Sequence, residues 1–178
     1  MKILFMGTPD FALFSLRALV DAGENVAAVV TQTDKPKGRG MTLTPPPVKV
    51  YAAAHGIPVY QPKTLKDGAF EAELREIDPE MIVVVAYGKI LPKYVLDYPK
   101  YGCINIHGSL LPKYRGAAPM QRAVMEGETV TGVTSMYMAE GMDTGDMLLT
   151  EKVAIAPDDN FANVHDKLGE AGARVLLR

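Results

Sequence analysis

Three polar residues of this chain have side chains that could perform acid–base chemistry together. Asn105 and His107 alternate with isoleucines in Cys-Ile-Asn-Ile-His, and Asp143 lies in the glycine-flanked turn Gly-Met-Asp-Thr-Gly. Because strand side chains alternate between two faces, Asn105 and His107 are expected to point the same way. An amide beside an imidazole supplies a donor for an oxyanion and a group that exchanges a proton. If Asp143 folds beside His107, it can orient the ring and favour its charged form.

Each of the three residues also has an ordinary structural interpretation. A lone histidine at a strand end is usually structural or solvated, and an asparagine commonly ends a strand or starts a turn. An aspartate between glycines is usually a turn residue. Spacing alone therefore indicates a possible site, whose geometry depends on the elements that hold these residues.

The hydrophobic pattern predicts an α/β chain. Strands are expected at residues 3–6, 26–30, 81–86, 103–107, 132–138 and 147–156. Helices are expected at residues 10–21, 48–55, 70–77, 118–126 and 160–177. Alternating strands and helices predict a Rossmann-like, mostly parallel sheet with helices on both faces, whose strand ends form the ligand crevice. Residues 31–47, rich in proline and glycine, are predicted to be a loop.

Composition limits the classes of protein that fit. The 178 residues suit one domain, and 48% hydrophobic with 22% charged residues is typical of a folded protein. A net charge of −2 means that any RNA contact needs a local basic patch. The single cysteine excludes an internal disulfide and a thiolate zinc cluster. No signal peptide or membrane-length apolar run is evident, so a cytoplasmic location is expected.

Several motifs together resemble the folate-dependent formyltransferase family. These are Asn-x-His with the following Ser-Leu-Leu-Pro-x-Tyr-Arg-Gly, the later Gly-x-Asp-Thr-Gly-Asp, and Met-Gly-Thr-Pro-Asp-Phe at residues 6–11. The likeness runs to the final helix and covers essentially the whole chain. It implies one catalytic domain over residues 1–178, with Asn105, His107 and Asp143 catalytic. It also implies 10-formyltetrahydrofolate as the formyl donor, and no metal.

The resemblance further implies a slot for the pteridine ring of the folate, closed by residues 139–143. Backbone groups can hydrogen-bond the edge of such a flat ring while apolar groups cover its faces. The residues expected in the slot are Ala86, Tyr87, Gly88, Ile90, Leu91, Ser109, Leu110, Leu111, Pro112 and Gly141. For Ile90 and Leu91, ordinary core packing is the alternative.

A basic segment follows the second predicted strand. Residues 31–49 carry four cations and one carboxylate, a net charge of +3. The chain is most similar to the branch of the family that formylates methionyl-initiator-tRNA for translation initiation, which implies tRNA contacts by Lys35, Lys37 and Arg39. The alternative is a solvated loop without a ligand. Phe11 is either a wall for the methionine side chain or a core residue. That branch also has a C-terminal β-barrel, which these 178 residues do not include.

The implied reaction is attack of the methionyl α-amine on the formyl carbon. Asn105 and protonated His107 are expected to donate hydrogen bonds to the oxyanion, while Asp143 keeps His107 charged and helps relay the proton. Glycinamide ribonucleotide and an amino-sugar nucleotide remain alternative acceptors. A nicotinamide-dinucleotide oxidoreductase remains a distant alternative, because the turn after Gly7 lacks the second and third glycines of the dinucleotide motif.

Overall fold

The computed structural model describes residues 1–178 and has an α/β architecture. Its strands are β1 Lys2–Gly7, β2 Asn25–Val30, β3 Lys35–Lys37, β4 Thr42–Thr44, β5 Val59–Tyr60, β6 Met81–Val85, β7 Cys103–His107, β8 Val130–Tyr137 and β9 Met147–Ala154. Its α-helices are α1 Asp10–Asp21, α2 Pro47–Ala54, α3 Glu71–Ile77, α4 Lys93–Leu96, α5 Pro119–Met125 and α6 Phe161–Leu176, with a short 3-10 helix at Lys66–Gly68.

Seven of the strands form one mixed sheet in the order β5-β2-β1-β6-β7-β8-β9. The five strands from β5 to β7 are parallel, whereas β8 runs antiparallel to β7 and β9 antiparallel to β8. The predicted mostly parallel, Rossmann-like sheet is confirmed. The change of direction after β7 places the start of β8 next to the carboxyl end of β7, where the candidate residues lie.

Two hydrophobic layers cover the sheet, one on each face. Alternate residues of β1 show the division, because Phe5 packs with α1, α2 and α6 while Leu4 packs with α3 and α4. Helices therefore cover both faces of the parallel strands, as predicted. The second layer contains no residue of β8 or β9, so the helical cover on that face stops at β7.

Helix α6 shows how the sequence positions this layer. Asn160 and Asn163 cap its first turn reciprocally, each side chain accepting a hydrogen bond from the other's backbone N–H, which satisfies donors that a helix start leaves free. Beyond this cap, Val164, Leu168 and Val175 recur at helical spacing and are buried against the sheet. The helix packs across β7, β8 and β9 and forms the floor beneath the site.

Every predicted helix and strand exists, with ends within two residues of the expectation. Strand β5 and helix α4 were not predicted, since two and four residues are too short for a periodic pattern. The prediction of a loop over residues 31–47 holds for residues 31–34, 38–41 and 45–46 but was wrong for the rest. This segment contains the antiparallel hairpin β3–β4, which turns at Gly38 with φ of +77°. Pro36 is tolerated in β3 because a two-stranded ribbon has free edges that need no N–H donor.

No helix is both long and apolar enough to cross a membrane.

Candidate active site

Asn105 and His107 lie at the carboxyl end of β7, on the same face of the sheet. Their partners across the antiparallel pairing are Met136 and Thr134, two residues apart on β8. Ile106 points to the opposite face and is buried in the first hydrophobic layer. The alternation predicted for this strand is therefore confirmed.

Asp143 reaches His107 on the connection between β8 and β9. Strand β8 ends beside Ile104, at the other end of β7, so residues 138–146 must run back across the face of the sheet. The Asp143 backbone has φ of +53°, and its Oδ2 accepts a hydrogen bond from Gly116 N at 2.6 Å. Its Oδ1 lies 3.7 Å from Nδ1 of His107, with side chains only 12% and 8% exposed. The structure thus brings together two residues that are 36 positions apart in the chain.

The imidazole of His107 is engaged on both sides. Nε2 lies 2.8 Å from the carbonyl oxygen of Tyr114. A carbonyl oxygen only accepts hydrogen bonds, so Nε2 carries a hydrogen and Nδ1 faces the Asp143 carboxylate. In this arrangement the Tyr114 carbonyl occupies Nε2, and Nδ1 lies 3.7 Å from the Asp143 carboxylate. Direct donation from His107 to a substrate oxyanion stays a prediction.

Asn105 and Asp143 share one small cavity. Its volume is about 20 Å³, room for one water-sized group. Its lining residues are Asn105, Met136, Met138, Ala139, Gly141, Asp143 and Thr144. His107 does not line it and lies behind Asp143. The lining residues with polar side chains are therefore Asn105, Asp143 and Thr144, with the imidazole buried next to the Asp143 carboxylate.

Residues 86–91 continue from the end of β6, the parallel neighbour of β7. Ala86 and Gly88 have positive φ and are exposed, and Ile90 is 86% exposed. Leu91 is 5% exposed and packs in the second hydrophobic layer, so the core-packing alternative holds for Leu91 but not for Ile90. Burial raises the pKa of the Tyr87 hydroxyl to about 12. That side chain is in the core and contributes no exposed face to a slot.

The slot residues predicted after β7 lie in different environments, some buried and some in a separate groove. Ser109 is fully buried, and its hydroxyl donates to the Lys113 carbonyl at 2.6 Å. Leu110 packs over Gly132 and lines a separate groove of about 410 Å³. Neither these two residues nor Leu111 and Pro112 line the Asn105 cavity, whereas Gly141 does. The turn of residues 109–112 folds toward β8, and its predicted contact with the pteridine ring stays a prediction.

The hairpin β3–β4 carries unpaired positive charge. Hydrogen bonds from Gln61 and Lys49 hold the pKa of the Asp34 carboxyl below its usual range. Lys49 is paired with Asp34, while Lys35, Lys37 and Arg39 are exposed and form no ion pair. The hairpin therefore presents three uncompensated cations to solvent.

Phe11 lies at the start of α1 and is 5% exposed within the first hydrophobic layer. Of the two interpretations open for this residue, the structure supports the core residue.

Sequence reasoning assigned no role to several groups that hold the site. Thr134 accepts from Leu111 N and donates to the Ser109 carbonyl, which fixes the turn after β7. The Tyr114 carbonyl and the Gly116 amide hold His107 and Asp143. Backbone atoms leave no signature in a sequence, so these contacts could not be predicted. No cluster of three or more His, Cys, Asp or Glu side chains is arranged to hold a metal ion.

The family model described as formyl transferase matches residues 1–178. The chain belongs to the formyl transferase family. It is 58% identical over 178 residues to the methionyl-tRNA formyltransferase of Pelotomaculum thermopropionicum. It is 59% identical over 177 residues to the methionyl-tRNA formyltransferase of Syntrophus aciditrophicus. In both cases 99–100% of this chain is covered, but only 57% of the relative's length.

Solved structures of the family share the fold. The glycinamide ribonucleotide transformylase 1 of Geobacillus kaustophilus superposes with a TM-score of 0.76 at 26% identity, covering 99% of this chain and 98% of that one. A formyltetrahydrofolate deformylase from Pseudomonas syringae superposes with a TM-score of 0.76 at 23% identity, covering 99% of this chain and 59% of that one. The likeness to the deformylase shows the fold alone.

Proposed function

We propose that residues 1–178 form the catalytic domain of a methionyl-tRNA formyltransferase. The domain would transfer the formyl group of 10-formyltetrahydrofolate to the α-amine of methionyl-initiator-tRNA, giving the formylmethionyl-tRNA used in translation initiation. The observation that carries the proposal is the shared cavity of Asn105 and Asp143 with His107 held 3.7 Å behind the carboxylate. The relatives named above support the choice of acceptor, although the chain spans only 57% of their length.

In the proposed reaction, the amine nitrogen forms a bond to the formyl carbon and the carbonyl oxygen becomes an oxyanion. The Asn105 amide donates a hydrogen bond to that oxygen, a contact whose removal typically lowers the rate by about 10²–10³-fold. The attacking nitrogen then carries an extra proton. Asp143 lines the same cavity and accepts this proton, which it returns to the folate nitrogen as the carbon–nitrogen bond breaks.

His107 acts in this scheme through its charge. The ring lies beside the Asp143 carboxylate and is 7% exposed, so water screens the interaction weakly. A protonated ring donates to Tyr114 O through Nε2 and presents Nδ1–H to Asp143. It orients the carboxylate and adds a positive charge near the developing oxyanion, without a direct hydrogen bond to it.

The folate is proposed to bind along the rim of the sheet. The cavity of about 20 Å³ is far smaller than a pteridine ring, so only the reacting group enters it. Ala86, Gly88 and Ile90 are exposed at the end of β6, beside the end of β7. They offer backbone groups and one apolar side chain for the flat face and the edge of the ring.

The tRNA is proposed to contact the hairpin β3–β4. Lys35 and Lys37 lie two residues apart on one strand and so extend from the same face of the ribbon. Arg39 lies in the turn that joins the strands. Three exposed cations without protein partners suit the phosphates of an acceptor strand, on a chain whose overall charge is −2.

Glycinamide ribonucleotide is the second candidate acceptor. The likeness to the Geobacillus kaustophilus transformylase favours it, since 98% of that chain is covered. The cationic hairpin argues against it, because a single phosphate needs no extended basic arm. An amino-sugar nucleotide is a third acceptor with no specific support beyond membership of the family.

A formylation assay separates these candidates. The protein is incubated with 10-formyltetrahydrofolate and, in separate reactions, methionyl-initiator-tRNA, glycinamide ribonucleotide or an amino-sugar nucleotide. We expect formyl transfer to the tRNA alone, and collapse of turnover in His107→Ala with folate affinity largely retained. Preferential transfer to glycinamide ribonucleotide would overturn the assignment of the acceptor. Tight binding of a nicotinamide cofactor with no formyl transfer would instead support an oxidoreductase.

A further inference from the structure

One short backbone segment contacts both members of the His107–Asp143 pair. Residues 113–116, here called the clamp segment, follow the turn after β7. The Tyr114 carbonyl accepts from His107 Nε2 at 2.8 Å, and the Gly116 N–H donates to Asp143 Oδ2 at 2.6 Å. The ring and the carboxylate are each held on the side away from the other. Their mutual geometry therefore depends on where the clamp segment lies.

The clamp segment has a backbone conformation that must be held in place. Tyr114 has φ of +56°, and Ala118, just beyond the segment, also has φ of +56°. Residues with a Cβ rarely adopt this left-handed region, and they keep it only where surrounding contacts over-determine it. Two side chains outside the segment supply those contacts.

Arg122 on α5 holds one side of the segment. Its Nη2 donates to the Arg115 carbonyl at 2.5 Å, and its guanidinium lies over the Tyr114 ring, 5.2 Å from the centroid. Its Nε is buried and has no hydrogen-bond partner. The planar guanidinium donates to a carbonyl and stacks on a ring at the same time, which the ammonium group of a lysine cannot do.

Glu128 holds the other side of the segment. Its Oε1 accepts from the Tyr114 hydroxyl at 2.9 Å and from Lys113 Nζ at 2.7 Å. The Lys113 side chain is 66% exposed, so that ion pair contributes little. The Tyr114 side chain is thus fixed between Arg122 on its face and Glu128 at its hydroxyl.

We infer that Arg122 is a positioning residue for the proposed formyl transfer, acting on His107 and Asp143 through the clamp segment. Its guanidinium fixes Tyr114 and Arg115, whose backbone holds the Nε2–H of His107 and, through Gly116, the carboxylate of Asp143. Arg122 lines neither the Asn105 cavity nor the exposed rim at residues 86–91. Its loss should therefore lower turnover while leaving donor binding unchanged. The kinetic part of this inference rests on the proposed function.

The first test compares Arg122→Lys and Arg122→Gln with the unaltered protein. We expect kcat for formyl transfer to fall about 10–100-fold, the range typical of outer-shell partners that orient metal ligands, with KM for 10-formyltetrahydrofolate nearly unchanged. Arg17→Lys is the matched control, because Arg17 also stacks on a tyrosine, at 5.6 Å from the Tyr51 centroid, but on α1 and far from the clamp segment. An equal loss of kcat in Arg17→Lys would mean that losing any arginine–tyrosine stacking lowers turnover, and it would overturn the inference.

The second test does not need activity. Long-range proton–nitrogen NMR correlations report which nitrogens of His107 carry hydrogen. In the unaltered protein we expect hydrogen on Nε2, and in Arg122→Lys a change in the His107 ring signals while the signals of His55 stay in place. Tyr114→Phe, which keeps the ring under Arg122 but loses the bond to Glu128, should cause a smaller change.

The two tests fail in distinguishable ways. Absence of formyl transfer in the unaltered protein would reject the proposed function, and the NMR comparison would still decide whether Arg122 positions His107. Normal transfer with unchanged kcat and unchanged His107 signals in Arg122→Lys would reject the inference alone. If Arg122→Gln fails to fold, Arg122→Lys and Tyr114→Phe carry the same comparison.

Discussion

Substitution of Asp143 by asparagine removes one charge from the candidate site and little else. The amide oxygen of asparagine can still accept the hydrogen bond from Gly116 N, which lies 2.6 Å from the carboxylate. The turn that carries residue 143 should therefore keep its shape. What is lost is the negative charge 3.7 Å from His107 Nδ1. The same change removes the group that we propose as acceptor of the amine proton.

The size of the effect follows from the distance and the burial. Two unit charges 3.7 Å apart attract by about 4 kcal/mol at an effective dielectric constant near 20. Side chains only 8% and 12% exposed are weakly screened by salt, but desolvation offsets part of this attraction. Since each 1.36 kcal/mol in the barrier is about tenfold in rate, the upper limit is about 10³-fold. We expect kcat to fall about 10²–10³-fold.

The assay is single-turnover transfer of the formyl group from 10-formyltetrahydrofolate to methionyl-tRNA, with a separate titration of folate binding. Asp146→Asn is the control, because Asp146 lies in the same connection, is exposed, and its side chain forms no hydrogen bond or ion pair. We expect the control to react at the unaltered rate and both variants to bind folate normally. A folded Asp143→Asn protein with a rate within about threefold of normal would refute the reasoning from charge.

Three further outcomes are expected. Leu168→Ala should lower the free energy of unfolding by about 2–5 kcal/mol in denaturant titrations, since the side chain is fully buried on α6. Burial raises the pKa of the Cys103 thiol to about 12, so Ellman's reagent at pH 8 should react only as fast as the protein opens. This preference for the neutral thiol stabilises the fold below about pH 9 and fades as pH rises toward 12. Replacing Lys35, Lys37 and Arg39 by serine should weaken tRNA binding and lower the salt slope of log Kd by about 2.

A specific result would contradict each of these predictions. A loss below about 1 kcal/mol in Leu168→Ala would mean that α6 is not packed as described. Rapid thiol labelling under native conditions would place Cys103 at the surface. An unchanged salt slope in the triple variant, with folate-dependent chemistry intact, would remove the hairpin β3–β4 from the tRNA contact.

Much of the fold could be predicted because the strong patterns are local. The apolar runs of β1 and β6 and the helical spacing of α6 each lie within one segment of the sequence, and burial of one face is enough to specify them. The alternation around Asn105 and His107 likewise follows from strand geometry alone. Residues 35–44 were misjudged because proline and glycine usually mark irregular backbone, while a two-stranded ribbon tolerates both.

The candidate site was only partly predictable, because its decisive contacts use backbone atoms or cross the sheet. That Asp143 meets His107 was expected from resemblance, but the path of residues 138–146 over the open face of β8 was not. The hydrogen bond between His107 Nε2 and the Tyr114 carbonyl could not be predicted either, because every residue type has a backbone carbonyl. Leu110 packs over Gly132 because that glycine has no Cβ, and this contact joins two segments that are distant in the sequence.

Asp34 ties together the two ends of the segment that contains the hairpin β3–β4. Its carboxylate binds Lys49 at the start of α2 and Gln61 after β5, so the chain leaves and rejoins the scaffold at nearly one point. Once the two ends of a segment are joined, each doubling of the length between them costs only about 0.6 kcal/mol. The length of the hairpin β3–β4 can therefore change at little cost in stability. Proteins that share one formyl donor could differ in this segment to suit larger or smaller acceptors.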